Sequence, residues 1–252
     1  MSESVGLGPR SRVGQFEAPG HLVTVNGHQV HYLETGSGTP AVVFEAGMGS
    51  NHLDWQQVRA RLSPATHAFF YDRAGLGWSE PRPEPRTPDQ VVGELEALLE
   101  AVGVHPPYVL VGHSMGARYV RLFTHRHPER VAGMVVVDGY NEAFDAAIGP
   151  DKLRAFVDGR ARFYGMVGRL SRLGLVRLLG GRLVSLLGPD FKTMPAAERR
   201  RYAAMLARPR AMTVATDELR RGGEANDELG TASLGALPLV VITHAIPFPD
   251  KE

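Results

Sequence analysis

The sequence predicts one α/β domain whose core is a mostly parallel sheet, and three observations predict it. Along residues 20–140, short apolar runs alternate with segments that have helical spacing, as in parallel strands joined by helices. These runs are apolar throughout, which is typical of strands covered on both faces. Between Tyr140 and Thr231 the strand signals stop and apolar residues recur at helical spacing, which indicates an all-helical insertion.

Composition limits the classes of partner. The 252 residues are 43% apolar and 22% charged, with a formal net charge of +1, so the expected partner is a small molecule and not nucleic acid. The absence of cysteine excludes disulfides and thiolate chemistry. No apolar run reaches the roughly 18 residues that span a bilayer, and Met1–Gly20 lacks the apolar stretch of a signal peptide, so the cytoplasm is the expected compartment.

The first elements follow from turn chemistry. Residues 1–19 are rich in Gly, Ser and Pro, which predicts a mobile or draped tail. Two strands, Leu22–Val25 and Gln29–Leu33, are joined by Asn26-Gly27, the commonest tight hairpin turn. An N-terminal hairpin is therefore expected at the start of a core formed by residues 20–140 and 232–252.

The next elements alternate between strand and helix. The best-marked helix begins after Thr87, where Thr87 and Gln90 form a capping box, and ends at Gly103. The other elements predicted before the fifth strand are, in order, a strand at Ala41–Glu45, a Gly47-Met48-Gly49 loop, a helix over about 52–62, a strand at His67–Tyr71 and a glycine-rich loop at Asp72–Ser79.

A Gly-x-Ser-x-Gly motif connects the fifth strand to the next helix. The strand Val109–Val111 leads into Gly112-His113-Ser114-Met115-Gly116, and apolar residues at helical spacing follow. A sharp strand-to-helix turn exposes the serine oxygen above a sheet, and glycines two places either side avoid clashes in so tight a bend. The motif in this context predicts a nucleophile elbow, with Ser114 as the candidate nucleophile.

The sixth strand, Val131–Val137, ends at Asp138-Gly139 and precedes the helical segment 141–231. Between residues 162 and 182 of this segment, five arginines alternate with leucines and other apolar residues: Arg162, Arg169, Arg172, Arg177 and Arg182. That pattern fits a lid whose apolar face covers the sheet, the favoured interpretation, or a basic amphipathic segment that contacts a membrane surface. A last strand at Pro238–Thr243 returns the chain to the sheet.

These motifs together resemble the α/β-hydrolase superfamily, in particular its lidded esterase and lipase-like branch. The resemblance rests on the Gly47 loop, the Asp72–Ser79 loop and the Ser114 elbow, in that order. It implies an α/β-hydrolase sheet with a helical lid inserted after the sixth strand. It also implies an oxyanion hole formed by the backbone N–H groups of Met48 and Met115. Relatives that act through an alkyl-enzyme carry aspartate at the elbow, so Ser114 implies acyl transfer.

The resemblance also implies an acid and a histidine after the nucleophile. Asp138 is the favoured acid and Asp250 the alternative. Only His244 follows Asp138, and it is the tentative base; the final strand and helix, with the loop that bears the histidine in relatives, are expected to be absent. His125 and His127 are expected to interact with a helix C-terminus, and neither a metal nor a cofactor is expected.

Two functions remain open at this point. One is a serine hydrolase that cleaves an ester, lactone or amide of an apolar small molecule through an acyl-enzyme on Ser114. The other is a catalytically impaired, truncated or pseudo-hydrolase that binds a ligand or partner. The last strand is expected to be an uncovered apolar edge, which favours self-association.

Overall fold

The computed structural model describes residues 12–13, 16–176, 195–206 and 208–243. The strands of this part of the chain are β1 (Arg12–Val13), β2 (Phe16–Glu17), β3 (His21–Val25), β4 (His28–Thr35), β5 (Ala41–Glu45), β6 (Ala68–Tyr71), β7 (Tyr108–His113), β8 (Val131–Val137) and β9 (Leu239–Ile242). The first two pair only with each other, and the other seven form one sheet in the order β3-β4-β6-β5-β7-β8-β9.

The sheet has an antiparallel edge and a parallel body. The pairs β3 with β4 and β4 with β6 are antiparallel, and every later pairing is parallel. The hairpin turn has Asn26 at a φ of 50° and Gly27 at 81°, the left-handed pair that a tight two-residue turn requires. The predicted mostly parallel sheet with an N-terminal hairpin is therefore confirmed.

The described helices are α1 (Gln56–Arg59), α2 (Pro88–Val102), α3 (Met115–Arg126), α4 (Glu142–Ile148), α5 (Pro150–Arg172), α6 (Ala196–Leu206), α7 (Pro209–Arg221) and α8 (Asn226–Thr231). The α2 boundaries follow the predicted signals. The Thr87 hydroxyl accepts the Gln90 N–H at 3.1 Å, and Gly103 ends the helix at a φ of 78°.

The helix predicted over about 52–62 is shorter than expected. A 3-10 turn occupies His52–Trp55, and the α-helical part covers only Gln56–Arg59. The first N–H groups have acceptors outside a helix, because His52 N–H donates to Asp72 at 2.9 Å and Leu53 N–H to Asn51 at 3.1 Å. Asn51 thus caps the segment locally, and Asp72 anchors its start through a contact 20 residues away in the sequence.

Helices α4 to α8 lie between β8 and β9, so a helical insertion follows the sixth strand of the main sheet, as predicted. On α5, Val167 is buried with Leu76 and Met212, whereas Met166, and Leu173 directly after the helix, are exposed. The boundaries of the tail, core and lid stay predictions, as does contact with a membrane surface. No helix in the described ranges is long and apolar enough to cross a membrane.

The two ends of the described chain differ in burial. Near the N-terminus, Phe16 and Ala18 pack against a buried cluster that contains Leu53 and Trp78. At the other end, the four residues of β9 are between 46% and 57% exposed. Since β9 is apolar and lies at the sheet edge, an uncovered apolar strand is present where the sequence predicted one.

Candidate active site

Ser114 occupies the sharp turn between β7 and α3. Its φ of 51° and ψ of −120° lie in a region that non-glycine residues rarely adopt, at a cost of about 1–3 kcal/mol. Two hydrogen bonds of 3.0 Å hold the turn: Ser114 N–H donates to Val137 O, and Tyr140 N–H donates to Ser114 O. The turn predicted from the Gly-x-Ser-x-Gly motif is therefore present.

The glycines of the motif are required by close packing. A Cβ on Gly112 would lie 2.7 Å from the Ala117 Cα, and one on Gly116 would lie 2.6 Å from the Glu45 carbonyl oxygen. Neither neighbour is the end of a flexible side chain. Any larger residue would therefore push α3 away from β7 or β5.

The Gly47-Met48-Gly49 loop lies beside the elbow. A Cβ on Gly47 would lie 3.5 Å from the Ser114 Cβ and 3.1 Å from His113 Nδ1. Met48 is half-buried and Met115 is buried. The structure thus brings together the segments that contain the two predicted oxyanion donors; the role of these N–H groups stays a prediction.

Asp138 lies next to the elbow at the C-terminal end of β8. Its backbone has a φ of 44°, its N–H donates to Ile242 O at 2.8 Å, and its side chain is exposed. The tentative base His244 and the alternative acid Asp250 lie outside the described residues. Among the residues that are described, no histidine nitrogen hydrogen-bonds to the Ser114 hydroxyl.

Arg73, in the loop after β6, is the centre of a buried ion-pair network that the sequence analysis missed. Its side chain is 2% exposed. The guanidinium donates to Glu218 of α7 from Nε at 2.8 Å and from Nη2 at 3.0 Å, and it also donates to Glu45. It further donates to the carbonyl oxygens of Ala46 at 2.8 Å and Gly47 at 2.7 Å.

The same network fixes the Gly47-Met48-Gly49 loop from its other side. Glu218 Oε2 accepts the Gly49 N–H at 2.8 Å, so the carbonyl of Gly47 and the amide of Gly49 are bound by the two members of one ion pair. Glu218 belongs to the helical insertion and Arg73 to the sheet domain. The insertion therefore contacts the loop beside Ser114 directly, through Glu218, and indirectly, through Arg73.

Burial and charge act in opposite directions on this network. Burial lowers the pKa of Arg73, but the Glu218 and Glu45 carboxylates raise that pKa well above its usual value. Burial raises the pKa of Glu45, against the effect of Arg73 and of the hydrogen bond that Tyr71 donates. Burial and the Glu45 charge raise the pKa of Tyr71 well above normal, so Tyr71 stays a neutral donor.

A family model described as the alpha/beta hydrolase fold matches residues 40–212 of the chain. This range contains the Gly47 loop, the Asp72–Ser79 loop, the Ser114 elbow and most of the insertion. The chain belongs to the α/β-hydrolase family.

Relatives and solved structures are consistent with this α/β-hydrolase assignment. The chain is 40% identical over 116 residues to the uncharacterized protein YqjL of Bacillus subtilis, a match that covers 46% of each chain. It is 30% identical over 164 residues to the mouse (lyso)-N-acylphosphatidylethanolamine lipase, covering 61% of this chain and 46% of the lipase. These matches thus span less than half the length of either relative. The epoxide hydrolase CorEH has a TM-score of 0.69 at 19% identity, over 88% of this chain and 81% of that structure, and so shares the fold.

Asp72, the neighbour of Arg73, stabilises the glycine-rich loop of this α/β hydrolase. One carboxylate oxygen accepts the backbone N–H of His52 at 2.9 Å and lies 2.8 Å from its Nδ1. The other accepts the Trp78 N–H at 2.9 Å and lies 2.8 Å from His31 Nδ1. Burial raises the pKa of Asp72, but the opposite effect of His52 and His31 is larger. The pKa of Asp72 therefore lies well below its usual value.

His31, His52 and Asp72 have the chemistry of metal ligands and their nitrogen and oxygen atoms lie within 4.8 Å of one another. However, each Asp72 oxygen already has two nitrogen neighbours at hydrogen-bond distance. Gly77 also contacts the carboxylate, since a Cβ there would lie 2.0 Å from an Asp72 oxygen. These contacts indicate that the cluster stabilises the conformation of the glycine-rich loop.

Two further contacts attach the insertion to the site. The Ser50 hydroxyl lies 2.8 Å from the Tyr202 hydroxyl of α6 and donates to Asp54, whose pKa burial raises. On α3, the buried Arg118 donates to the Gly222 carbonyl at 2.7 Å. A Cβ on Gly222 would lie 2.8 Å from the end of the Met115 side chain, so the insertion packs directly on the residue after the nucleophile.

One sequence signal could have identified Glu218. The buried residues of α7 are Ala211, Met212, Ala215, Leu219 and Glu218 itself, so a carboxylate interrupts an apolar helix face. A charged residue on a buried face requires a charged partner. The sequence gives no indication that this partner is Arg73, which lies 145 positions earlier.

Proposed function

We propose that this α/β hydrolase is a serine hydrolase that cleaves an ester, lactone or amide of a mostly apolar small molecule. The observation that carries the proposal is the backbone of Ser114, which has a φ of 51° at the strand-to-helix turn beside the Gly47 loop. A strained turn of this kind presents the hydroxyl at the C-terminal edge of the sheet, where α/β proteins bind ligands.

In the proposed reaction the Ser114 oxygen adds to the substrate carbonyl carbon as its proton passes to a base. The bond to the leaving alcohol or amine then breaks, the leaving group takes the proton, and water hydrolyses the acyl-enzyme. Negative charge develops on the carbonyl oxygen, and the N–H groups of Met48 and Met115 are the proposed donors to it. Loss of one such donor typically reduces the rate about 100- to 1,000-fold.

Asp138 is the proposed acid and His244 the proposed base. The Asp138 N–H donates to Ile242 O at 2.8 Å, so the strand that precedes His244 ends beside the candidate acid. A carboxylate in this role holds the imidazole tautomer and stabilises the imidazolium. Asp250 is the alternative acid. The relative named as a lipase supports hydrolysis in general, whereas the ester, lactone or amide preference rests on Ser114.

The test is covalent labelling with a fluorophosphonate, which reacts with activated serines. We expect labelling of the native chain, no labelling of Ser114→Ala, and unchanged labelling of Ser63→Ala, which replaces an exposed serine remote from the elbow. Heat-denatured protein should not react. Equal labelling of Ser114→Ala and the native chain would refute the assignment of the nucleophile.

A second candidate function is ligand binding with little turnover. It is supported by the sequence, in which His244 is the single histidine after the candidate acid Asp138, and a serine without a base is a weak nucleophile near pH 7. The two candidates differ in the effect of His244→Ala on p-nitrophenyl ester hydrolysis. A loss of activity supports the hydrolase, whereas negligible native activity that added imidazole increases supports an incomplete site.

A further inference from the structure

A cavity lies outside the candidate active site. It has a volume of about 700 Å³ and lies between α5, α7 and the loop at residues 82–86. This volume is within the usual range for small-molecule sites. Its lining contains six arginines: Arg82, Arg86, Arg169, Arg172, Arg220 and Arg221.

Half of these arginines have carboxylate partners. Their ion pairs are Arg82 with Glu84, Arg86 with Glu94, and Arg221 with Asp217. The other three, Arg169, Arg172 and Arg220, are exposed and have no ion pair with any described residue; Arg169 Nε donates to the Gly165 carbonyl oxygen at 3.3 Å. Because Glu84 and Asp217 are already paired, the lining has an excess of positive charge that a bound anion would neutralise.

Arg86 also lines the cavity and has a buried donor without an acceptor. Its side chain is 3% exposed and its terminal nitrogens donate to Glu94, yet its buried Nε has no hydrogen-bond partner in the described ranges. A buried donor without an acceptor costs about 1–3 kcal/mol. An acceptor oxygen on a ligand in this cavity could remove that cost.

Part of the remaining wall is apolar. Ala74, Ala161 and Met212 line the cavity and are buried. Gly168 of α5 lies close to Met212, because a Cβ there would be 3.5 Å from the Met212 Cβ. Apolar residues on the same two helices as the unpaired guanidinium groups fit a molecule that has both an anionic head and a short hydrocarbon chain.

The cavity and the candidate active site lie on opposite faces of α7. Glu218 accepts the Gly49 N–H, and the Ala215 Cβ would lie 2.6 Å from a Cβ on Gly49. The cavity is lined by Thr213, Thr216 and Arg220, about half a turn around the helix. No residue of the Gly47 loop or the Ser114 elbow lines it.

We propose that this cavity is a binding site for an amphiphilic anion, whose carboxylate or phosphate head binds Arg169, Arg172 and Arg220. The alkyl chain of the ligand packs on Met212 and Ala161. Arginine suits both head groups because its planar guanidinium forms paired, charge-assisted hydrogen bonds to either one. The site does not depend on the activity of Ser114.

The test is calorimetric titration of the full chain with decanoate, decyl phosphate and uncharged decanol, each below its aggregation concentration. The variant R169Q/R172Q removes two unpaired charges of α5 from the cavity. The matched control R160Q/R162Q removes two charges of the same helix that are also exposed but do not line the cavity. Circular dichroism melts check that both variants fold.

We expect one or both anions to bind the native chain and the control. Binding to R169Q/R172Q should be about 100-fold weaker. Decanol should not bind. R220Q, on the other wall, should weaken binding independently. If the affinities of decanoate and decyl phosphate differ, the tighter ligand identifies the preferred head group. No binding to the native chain, equal loss in both double variants, or equally tight binding of decanol would overturn the proposal.

Discussion

The Glu218 carboxylate is expected to contribute strongly to the contact between α7 and the sheet. It is 0% exposed and accepts three hydrogen bonds, from Gly49 N–H and Arg73 Nε at 2.8 Å and from Arg73 Nη2 at 3.0 Å. In Glu218→Ala all three donors lose their acceptor, and Arg73 keeps only Glu45 as a charged partner. Breaking a buried ion pair costs about 3–5 kcal/mol, which is the expected loss in the free energy of unfolding.

Glu218→Gln gives a graded result from the same position. The single amide oxygen of the glutamine can accept some of the three hydrogen bonds, but the negative charge is lost. Hydrogen bonds to charged groups contribute about 1.5–3 kcal/mol against about 0.5–1.5 kcal/mol for neutral ones, so the expected loss is about half that of the alanine variant. The matched control is Glu224→Gln, which removes a 48% exposed carboxylate paired with Arg221 and should cost at most about 1 kcal/mol.

The assay is equilibrium urea unfolding followed by far-ultraviolet circular dichroism, with linear extrapolation to water. The expected order of stability is native chain and Glu224→Gln, then Glu218→Gln, then Glu218→Ala. If Glu218→Ala loses no more stability than Glu224→Gln, the network does not hold α7 on the sheet and the argument from burial is refuted.

Three further predictions concern other parts of the fold. Thr87→Ala removes the acceptor for the Gln90 N–H and should cost about 1 kcal/mol in urea unfolding. The Arg121 hydrogen bonds lower the pKa of Glu142 from 4.5 to about 2, so the stability difference between the native chain and Arg121→Gln should be constant above pH 4.5 and shrink towards pH 2. We propose that the exposed edge strand mediates self-association, which Val240→Lys should reduce in sedimentation velocity; a native monomer at high concentration would contradict this.

Features with short-range causes were predictable from the sequence. Asn26-Gly27 determines the hairpin turn, and Thr87 and Gly103 determine the ends of α2, because each acts on backbone groups within a few residues of itself. The Ser114 turn belongs to the same class. Gly112 is needed where β7 meets α3, and the apolar runs on either side of the motif specify a strand and a helix, whereas Gly116 is needed where α3 approaches Glu45 of β5.

Features that depend on distant contacts were not predictable. The helix expected over 52–62 begins as a 3-10 turn, and the His52 N–H at its start donates to Asp72, which lies 20 residues later. Residue type alone marks Asp72 and Arg73 as polar positions in a glycine-rich loop. Their burial and their partners depend on how the loop packs against β4, β5 and α7.

The sequence by itself thus determined the order of strands and helices, the insertion after the sixth strand and the position of the Ser114 turn. Only the tertiary structure decided that Arg73 and Glu218 fix the loop beside that turn, and that unpaired arginines of α5 and α7 share a cavity. The physical reason is the separation along the chain over which each interaction acts. Periodicity and capping act over one or two turns of chain, whereas an ion pair between residues 145 positions apart forms only when packing removes both side chains from water.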